Sequence, residues 1–282
     1  MRRGRAAATV AAAVAVLGML GLKTANDHAV AQRAQPLGRP EAPVMAPPVV
    51  PRPVIVPPVV LRRAGTPKAD RAAFTAGTGA LVIGNPAGRH FCTASAVASP
   101  HHNVLVTAAH CIHQGEGGGY RSELYFVPSY RPGHRPSIAK PIRRMLVDRR
   151  WAQSSDPDLD VGFLIVARSK SKVPGEAPLA FHPPFISVVQ VTGYPDEDDE
   201  PITCANKTSA HSGTQLRFAC DGYEGGTSGS PWVAGLGPTT RTGEIIGVIG
   251  GYQEGGATPH ISYSPYFGDT VKDLYDRAVR LS

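Results

Sequence analysis

The stretch Gly225–Trp232, which reads GGTSGSPW, places one serine between small residues and follows it with a proline and an apolar run. A serine that acts as a nucleophile needs little cover from its neighbours, and it needs backbone N–H groups directed at the oxygen that becomes negative. Gly226 and Gly229 permit the tight backbone that provides both features for Ser228. A turn between two strands has the same composition, so this stretch alone leaves a structural role open.

A histidine and an aspartate that could complete such a site lie upstream, each beside an apolar strand. The stretch Val104–Cys111, VLVTAAHC, runs from apolar residues into His110, and Asp160 is followed directly by the apolar run VGFLIV. A histidine can take the proton of a serine hydroxyl, and an aspartate can hold the imidazole in the required tautomer. The three residue types together predict hydrolysis by a nucleophilic serine.

The motif TAAHC, followed in the chain by GTSGSP, resembles the trypsin/chymotrypsin family of serine proteases, and the order His, Asp, Ser is the one associated with that family. The resemblance covers roughly residues 74–282. It implies an all-β fold of two packed six-stranded antiparallel β-barrels with a C-terminal α-helix. The active site would lie in the cleft between the barrels, with His110 and Asp160 from the first and Ser228 from the second. The backbone N–H groups of Gly226 and Ser228 would form the oxyanion hole.

Two further aspartates, Asp156 and Asp158, compete with Asp160 for the third catalytic position. Only Asp160 directly precedes the apolar strand, as the family pattern requires. The other two fit a turn around Pro157. We therefore predict Asp160 as the partner of the histidine.

The residue before the serine departs from the trypsin-like pattern. Thr227 stands where trypsin-like zymogens have an aspartate that pairs with a new N-terminus, and no Ile-Val-Gly-Gly start occurs. The sequence therefore predicts an oxyanion loop ordered by contacts within the folded domain. It also predicts activity whichever residue between Arg63 and Gly77 begins the chain.

The substrate pocket resembles more than one branch of the family. GTSGSP and Thr192–Pro195 are similar to bacterial secreted glutamyl endopeptidases, but Ile249 occupies the position of the histidine that lines their pocket. Gly222 stands six residues before the serine, where enzymes that cleave after Lys or Arg have aspartate, and Asp221 is one residue away. The glycines at 250 and 251 suit a substrate paired as a β-strand. The candidate pocket residues are Gly222, Tyr223, Gly250, Gly251 and Tyr252.

The chain has 4 cysteines, and an even count behind an export signal suggests disulfides. The family bridges the cysteine after the catalytic histidine to the preceding strand, which implies Cys92–Cys111. The pair Cys204–Cys220 follows because two cysteines remain. No Cys-x-x-Cys spacing occurs, so a zinc site is disfavoured, and we predict no metal and no cofactor.

The N-terminal third divides into an export signal and a proline-rich segment. Three arginines among the first five residues precede the apolar segment Ala6–Leu22, and Ala29-Val30-Ala31 offers small residues for signal peptidase. We predict a signal peptide over 1–31, a Pro-rich linker or pro-segment over 32–73 and a protease domain over 74–282. An uncleaved membrane anchor and a ligand for a proline-binding module remain alternatives for the first two segments.

The charge distribution argues against a nucleic-acid partner. The formal net charge is +7, but residues 1–71 hold 11 Lys or Arg and 3 Asp or Glu, which leaves −1 for the remainder. The basic stretch Arg131–Arg150 and the acidic loop Asp196–Glu200 are typical of solvated loops, with a calcium site as an alternative for the latter. We expect a secreted monomer that acts on a protein or peptide substrate and meets a membrane only if its N-terminal segment is not cleaved.

The pattern of short apolar runs separated by turn residues predicts a β-rich domain. Only Asp269–Leu281 has helical spacing, with Val271, Leu274, Tyr275 and Val279 on one face. The predicted function is a secreted serine endopeptidase that forms an acyl-enzyme. The alternative is a catalytically inactive protein with the protease fold that binds a ligand at the cell surface. The predicted strands are Gly79–Ile83, Phe91–Val97, Asn103–Thr107, Leu124–Val127, Val161–Val166, Ile186–Val191, Gln215–Ala219, Ser230–Val233 and Glu244–Ile249.

Overall fold

The computed structural model describes residues 75–131, 139–167, 173–198 and 200–282. The chain separates into two units, 1–57 and 58–282, and every described residue belongs to the second. The predicted signal peptide (1–31) and Pro-rich segment (32–73) lie outside the described residues. Among those that are described, no helix is long and apolar enough to cross a membrane.

Six strands from the first half of the domain close into an antiparallel barrel in the order β1-β2-β3-β6-β5-β4. Strands β3 and β6 are buried along their whole length because both of their faces are covered. Leu105 and Leu164 point into the barrel core, whereas Val106 and Phe163 pack on the opposite face with residues of the second sheet and the C-terminal helix. The barrel strands are β1 (Thr78–Ile83), β2 (His90–Val97), β3 (Val104–Thr107), β4 (Leu124–Pro128), β5 (Lys140–Val147) and β6 (Gly162–Val166).

The second half forms a six-stranded antiparallel sheet in the order β11-β10-β7-β8-β9-β12. The sheet curls until its two edges are linked, because Val248 N–H donates to Ser264 Oγ at 2.9 Å and Gly250 N–H donates to the Tyr263 carbonyl at 3.0 Å. Trp232 fills the core of this sheet. Its strands are β7 (Val188–Gly193), β8 (Ile202–Ala210), β9 (Gln215–Ala219), β10 (Pro231–Ala234), β11 (Glu244–Val248) and β12 (Ile261–Pro265).

Two α-helices and two short 3₁₀ turns complete the described part of the domain. Helix α1 (Arg149–Ser154) begins at Asp148, whose side chain accepts from Arg150 N–H, and the 3₁₀ turns span Pro157–Leu159 and Tyr252–Gly255. Helix α2 (Asp269–Leu281) is the predicted C-terminal helix, and it packs on the barrel. Its buried residues are Val271, Leu274 and Ala278, with Tyr275 and Val279 half-buried.

The predicted all-β fold is therefore confirmed, with a closed barrel, a curled sheet and one C-terminal helix. Both predicted disulfides are present. Cys92–Cys111 joins β2 to the residue after His110, and Cys204–Cys220 joins β8 to the residue after β9. Each bridge therefore restrains a segment near the predicted site residues.

Candidate active site

His110 lies in a helical turn immediately after β3. The turn forms because Ile112 N–H and His113 N–H both donate to the Ala109 carbonyl, at 2.9 Å and 2.8 Å. The neighbouring Cys111 is fixed by its disulfide to β2. The imidazole keeps 15% of its surface exposed, so a substrate or a serine hydroxyl can reach it.

Asp160 ends the 3₁₀ turn Pro157–Leu159, and its side chain is fully buried. Its Oδ2 accepts from His110 Nδ1 at 2.8 Å and from Gly251 N–H at 2.8 Å, while its Oδ1 accepts from His110 N–H at 2.9 Å. These bonds compensate the burial of the carboxylate. Because Nδ1 donates to Asp160, the neutral imidazole keeps its lone pair on Nε2, the nitrogen that a general base needs.

The two rival aspartates have other contacts. Asp156 Oδ1 accepts from Asp158 N–H at 3.0 Å and so begins the 3₁₀ turn. Asp158 Oδ1 accepts from Gln215 Nε2 at 2.8 Å, and the same nitrogen donates to the Pro157 carbonyl at 2.9 Å. Neither carboxylate has a hydrogen bond to the imidazole among the described residues, so both hold the turn that presents Asp160.

Gln215 links this turn to the loop beyond β11, and the sequence pattern gave no signal for it. Its side chain is buried at the start of β9. Besides the two bonds to the turn, its Oε1 accepts from Tyr252 N–H at 3.3 Å. Gly251, the residue before Tyr252, is the third donor to Asp160. Gln215 therefore positions both sides of the carboxylate.

Ser228 lies in the loop between β9 and β10 and is half-buried. Its carbonyl accepts from Thr93 N–H at 2.8 Å, and the next residue, Gly229, donates to the Ile249 carbonyl at 2.7 Å. Gly229 has a φ of 83°, and a Cβ there would collide with Thr93 and lie 3.1 Å from Ala108 N. The serine loop is thus pressed against the segment that leads into His110. Within the described chain, Ser228 Oγ makes no hydrogen bond to the imidazole, which is common before substrate binds.

The backbone N–H groups around the serine alternate between engaged and free. Those of Thr227, Gly229 and Ser230 donate to protein carbonyls. Those of Gly226 and Ser228 donate to no acceptor anywhere in the described ranges. Buried N–H groups are normally paired, and a free pair beside a nucleophile is what an oxyanion requires.

Neutral hydrogen bonds hold this loop in place. Thr93 Oγ1 donates to the Gly226 carbonyl at 3.1 Å and accepts from Tyr194 N–H at 3.1 Å. Asp196 N–H donates to the Gly225 carbonyl at 2.8 Å. Gly226 has a φ of 85°, and a Cβ there would collide with Asp196 and Tyr194. Only glycine fits this close approach of two loops.

Hydroxyl groups on either side of the nucleophile complete this support. Thr227 Oγ1 and Thr227 N–H both donate to the Glu224 carbonyl, at 2.6 Å and 3.1 Å. Ser230 Oγ donates to the Thr227 carbonyl at 2.6 Å. Thr227 stands where trypsin-like zymogens have an aspartate. Its side chain therefore stabilises a turn through a hydrogen bond and does not form an ion pair.

The electrostatic environment of His110 raises the pKa of its imidazole. Burial acts to lower the pKa of His110, but the charge of Asp160 and the hydrogen bond to it outweigh burial, and Glu254 adds to them against Arg121. The pKa therefore lies above the ordinary value of 6.5. Cys92 and Cys111 lie within 4.8 Å of the imidazole, but their sulfurs are joined in a disulfide and are not thiolate ligands for a metal.

A cavity of about 370 Å³ opens beside Ser228. One wall is the chain leading into the serine, from Tyr223 to Gly225 together with Thr227. The other wall is Ile249 and the loop 253–259. A cavity of this volume can hold an amino-acid side chain of a substrate while the backbone carbonyl of the same substrate residue lies near Ser228.

Solved structures with a similar fold include serine proteases and a human heparin binding protein. The chain is 24% identical to the thermostable serine protease AL20 from an extremophilic microorganism, with a TM-score of 0.64 over 74% of this chain and 99% of that one. The fold is that of the chymotrypsin-like serine proteases. Protease Anisep from Arthrobacter nicotinovorans is 21% identical, with a TM-score of 0.62 over 73% and 97% of the two chains, and a Glu endopeptidase is 14% identical, with a TM-score of 0.63 over 77% and 97%. No protein-family model and no curated protein sequence matches the chain.

Within this chymotrypsin-like fold, the predicted pocket residues divide into two groups. Tyr223 lines the cavity, and its hydroxyl donates to the Val191 carbonyl at 2.8 Å. The other four lie on adjoining backbone but outside the lining of this cavity, and Gly250 and Gly251 instead adjoin Asp160. The pocket prediction omitted Glu224 and Gly225, which also line the cavity, and the loop 253–259, whose sequence resembles no motif. The residues outside the lining are Gly222, Gly250, Gly251 and Tyr252.

Proposed function

We propose that the chain is a secreted serine endopeptidase that cleaves peptide bonds of a protein or peptide substrate. The observation that carries the proposal is the pair of free N–H groups at Gly226 and Ser228 in a loop that packs against the residues leading into His110. Buried N–H groups are normally paired, so a free pair beside a serine favours an oxyanion as their partner. The buried Asp160 that fixes the imidazole supports the same reading.

The first chemical step is attack by Ser228 Oγ on the carbonyl carbon of the scissile bond. His110 Nε2 takes the hydroxyl proton as the new C–O bond forms, and the carbonyl oxygen becomes an anion. The N–H groups of Gly226 and Ser228 stabilise that anion. Asp160 stabilises the imidazolium, because its carboxylate lies 2.8 Å from Nδ1.

The second step breaks the C–N bond and leaves an acyl-enzyme. The imidazolium returns its proton to the departing amine nitrogen, so the leaving group is a neutral amine. Water then attacks the ester carbonyl while His110 takes one of its protons, and the same N–H groups stabilise the second oxyanion. Collapse restores the Ser228 hydroxyl and releases a carboxylic acid.

Secretion is part of the proposal, and two observations support it. The described domain contains two disulfides and no free thiol. Disulfides of this kind persist in oxidising compartments. The arginines and the apolar run at the start of the sequence fit an export signal.

A fluorophosphonate probe tests the activity directly, because only an activated serine reacts with it. We expect the full chain to be labelled once, and Ser228→Ala to abolish both labelling and peptide hydrolysis. Ser212→Ala is the matched control, since this exposed serine lies in the hairpin between β8 and β9. Labelling of the Ser228→Ala variant would remove Ser228 as the nucleophile. The absence of any labelling in the folded wild type would favour the inactive binding protein.

A further inference from the structure

The charged side chains that line the cavity beside Ser228 are both carboxylates. Glu224 belongs to the wall that leads into the serine, and Glu254 belongs to the opposite loop. No Lys or Arg is present among the lining residues. The lining of the cavity therefore contributes two negative charges and no positive one.

Both carboxylates are available to a ligand. Glu224 and Glu254 are exposed, and neither side chain takes part in a hydrogen bond or an ion pair within the described chain. The acidic group next to the cavity, Asp221, differs in this respect because it accepts from His260 at 2.8 Å. Glu254 also acts on His110 through its charge, which places it near the catalytic groups.

Part of the lining is apolar and buried. Ile249 and Tyr223 are 3% and 5% exposed, and both line the cavity together with Ala257 and Pro259. Buried apolar side chains beside exposed carboxylates suit a long aliphatic stem with a terminal cation, since such side chains bury the stem and keep the charge near water.

We propose that this cavity receives the side chain of the residue before the scissile bond and selects lysine or arginine there. The proposal rests on the proposed function and specifies its substrate class. Glu224 and Glu254 are the specificity-determining residues. A glutamate side chain in the same place would meet two like charges, which disfavours it.

Glu224 and Glu254 do not occupy the position of the aspartate found in enzymes that cleave after Lys or Arg. The expected place for an acidic determinant was six residues before the serine, where Gly222 stands. Here the carboxylates lie four residues before the serine and 26 residues after it, and both are exposed. An exposed pair gives a weaker preference than a buried carboxylate, because solvent screens it.

The test compares peptides that differ only in the residue before the cleaved bond: Lys, Arg, Gln, Met or Glu. We expect the full chain to have a higher kcat/KM for Lys and Arg than for Gln, and the lowest for Glu. Glu224→Gln and Glu254→Gln should each lower the Lys-to-Gln ratio about threefold, as expected for exposed ion pairs. Glu244→Gln, an exposed carboxylate on β11 outside the cavity, should leave the ratio unchanged.

The proposal is overturned if the wild type prefers Glu or an apolar residue, or if both variants keep the wild-type ratio. Fluorophosphonate labelling separates this failure from failure of the proposed function, because labelling does not depend on the cavity. A chain that is not labelled is tested by calorimetric binding of benzamidine, an aryl cation. Binding that disappears in the Glu224→Gln/Glu254→Gln variant supports the acidic cavity, and no binding to the wild type overturns it.

Discussion

His110 and Asp160 are joined twice, once through the imidazole Nδ1 and once through the backbone N–H of the same histidine. The carboxylate therefore sets both the orientation of the ring and the position of the backbone that carries it. An asparagine in place of Asp160 has only one oxygen, so it would keep one of these two bonds and lose the other. This double link makes the catalytic residue unusually sensitive to its partner.

Asp160→Asn is expected to lower kcat about 1,000-fold or more, because an amide does not hold the tautomer that leaves Nε2 free to accept a proton. Asp156→Asn and Asp158→Asn should have much smaller effects, since their oxygens contact the 3₁₀ turn, Arg150 and Gln215 and not the imidazole. Steady-state kinetics on one peptide substrate measure all three. If Asp158→Asn were the crippled variant, the assignment of Asp160 would be wrong.

Thr93→Val should lower kcat about tenfold with little change in KM, because the donor that holds the Gly226 carbonyl is lost. Valine keeps the shape of threonine and suits a strand. Thr208→Val is the control: Thr208 is equally buried and its hydroxyl bonds Phe185 and Ser187, away from the serine loop. Equal loss of kcat in both variants would mean that general destabilisation, not the loop, explains the effect.

The pH dependence of serine labelling should report the raised pKa of His110. Only the neutral imidazole accepts a proton, so the labelling rate rises with pH, and the midpoint should lie above the ordinary histidine value. Glu254→Gln removes a negative charge that raises this pKa, so the midpoint should move to lower pH. Glu224→Gln is the control, because Glu224 is not among the groups that shift His110. A midpoint that stays fixed in Glu254→Gln would contradict the electrostatic assignment.

Versions of the chain that begin anywhere from Arg63 to Phe74 should have equal turnover, because contacts among the described residues already hold the serine loop. A start at Gly77 should keep kcat but lower the free energy of unfolding by about 1–2 kcal/mol. It removes Thr75, which is buried and bonds Thr192 through both N–H and Oγ1 at 3.1 Å. Denaturant titration and kinetics measure the two effects separately. A chain that is silent until cut at one site would contradict the prediction.

The motifs predicted the chemistry because reactive groups need particular neighbours along the chain. The small residues around Ser228 and the apolar strands beside His110 and Asp160 are local requirements, so they are visible in the sequence. Gln215 and Thr93 act across the fold, through bonds to segments 37 to 133 residues away. A contact of that kind leaves no local pattern, and only the structure reveals it.

Three strands also escaped prediction, for physical reasons specific to each. In β5, a register shift between Ile142 and Arg144 breaks the alternation that marks a strand, and its arginines gave it the composition of a basic loop. In β8, only Ile202 and Thr208 are buried, so the apolar signal is weak. In β12, the buried positions are two serines and a proline, and Ser264 is satisfied by bonds to Val248 N–H and the Pro265 carbonyl.

The acidic loop Asp196–Glu200 also proved to have a role that composition did not suggest. Its first residue pairs with the serine loop through the bond from Asp196 N–H to the Gly225 carbonyl. Asp199 lies outside the described residues, so a calcium site at this loop stays an untested alternative. The monomeric state and the cleavage of the signal peptide likewise stay predictions.

The groups that hold the oxyanion loop are the hydroxyls of Thr93, Thr227 and Ser230, and none of them changes its charge between neutral and alkaline pH. A loop held by an α-ammonium group collapses when that group loses its proton, near pH 8 for an ordinary N-terminus and higher when it is paired. In the described part of the chain, these contacts with the loop involve no α-ammonium group. The pH–rate profile should therefore rise through the His110 limb and then stay level into alkaline solution, until unfolding ends it.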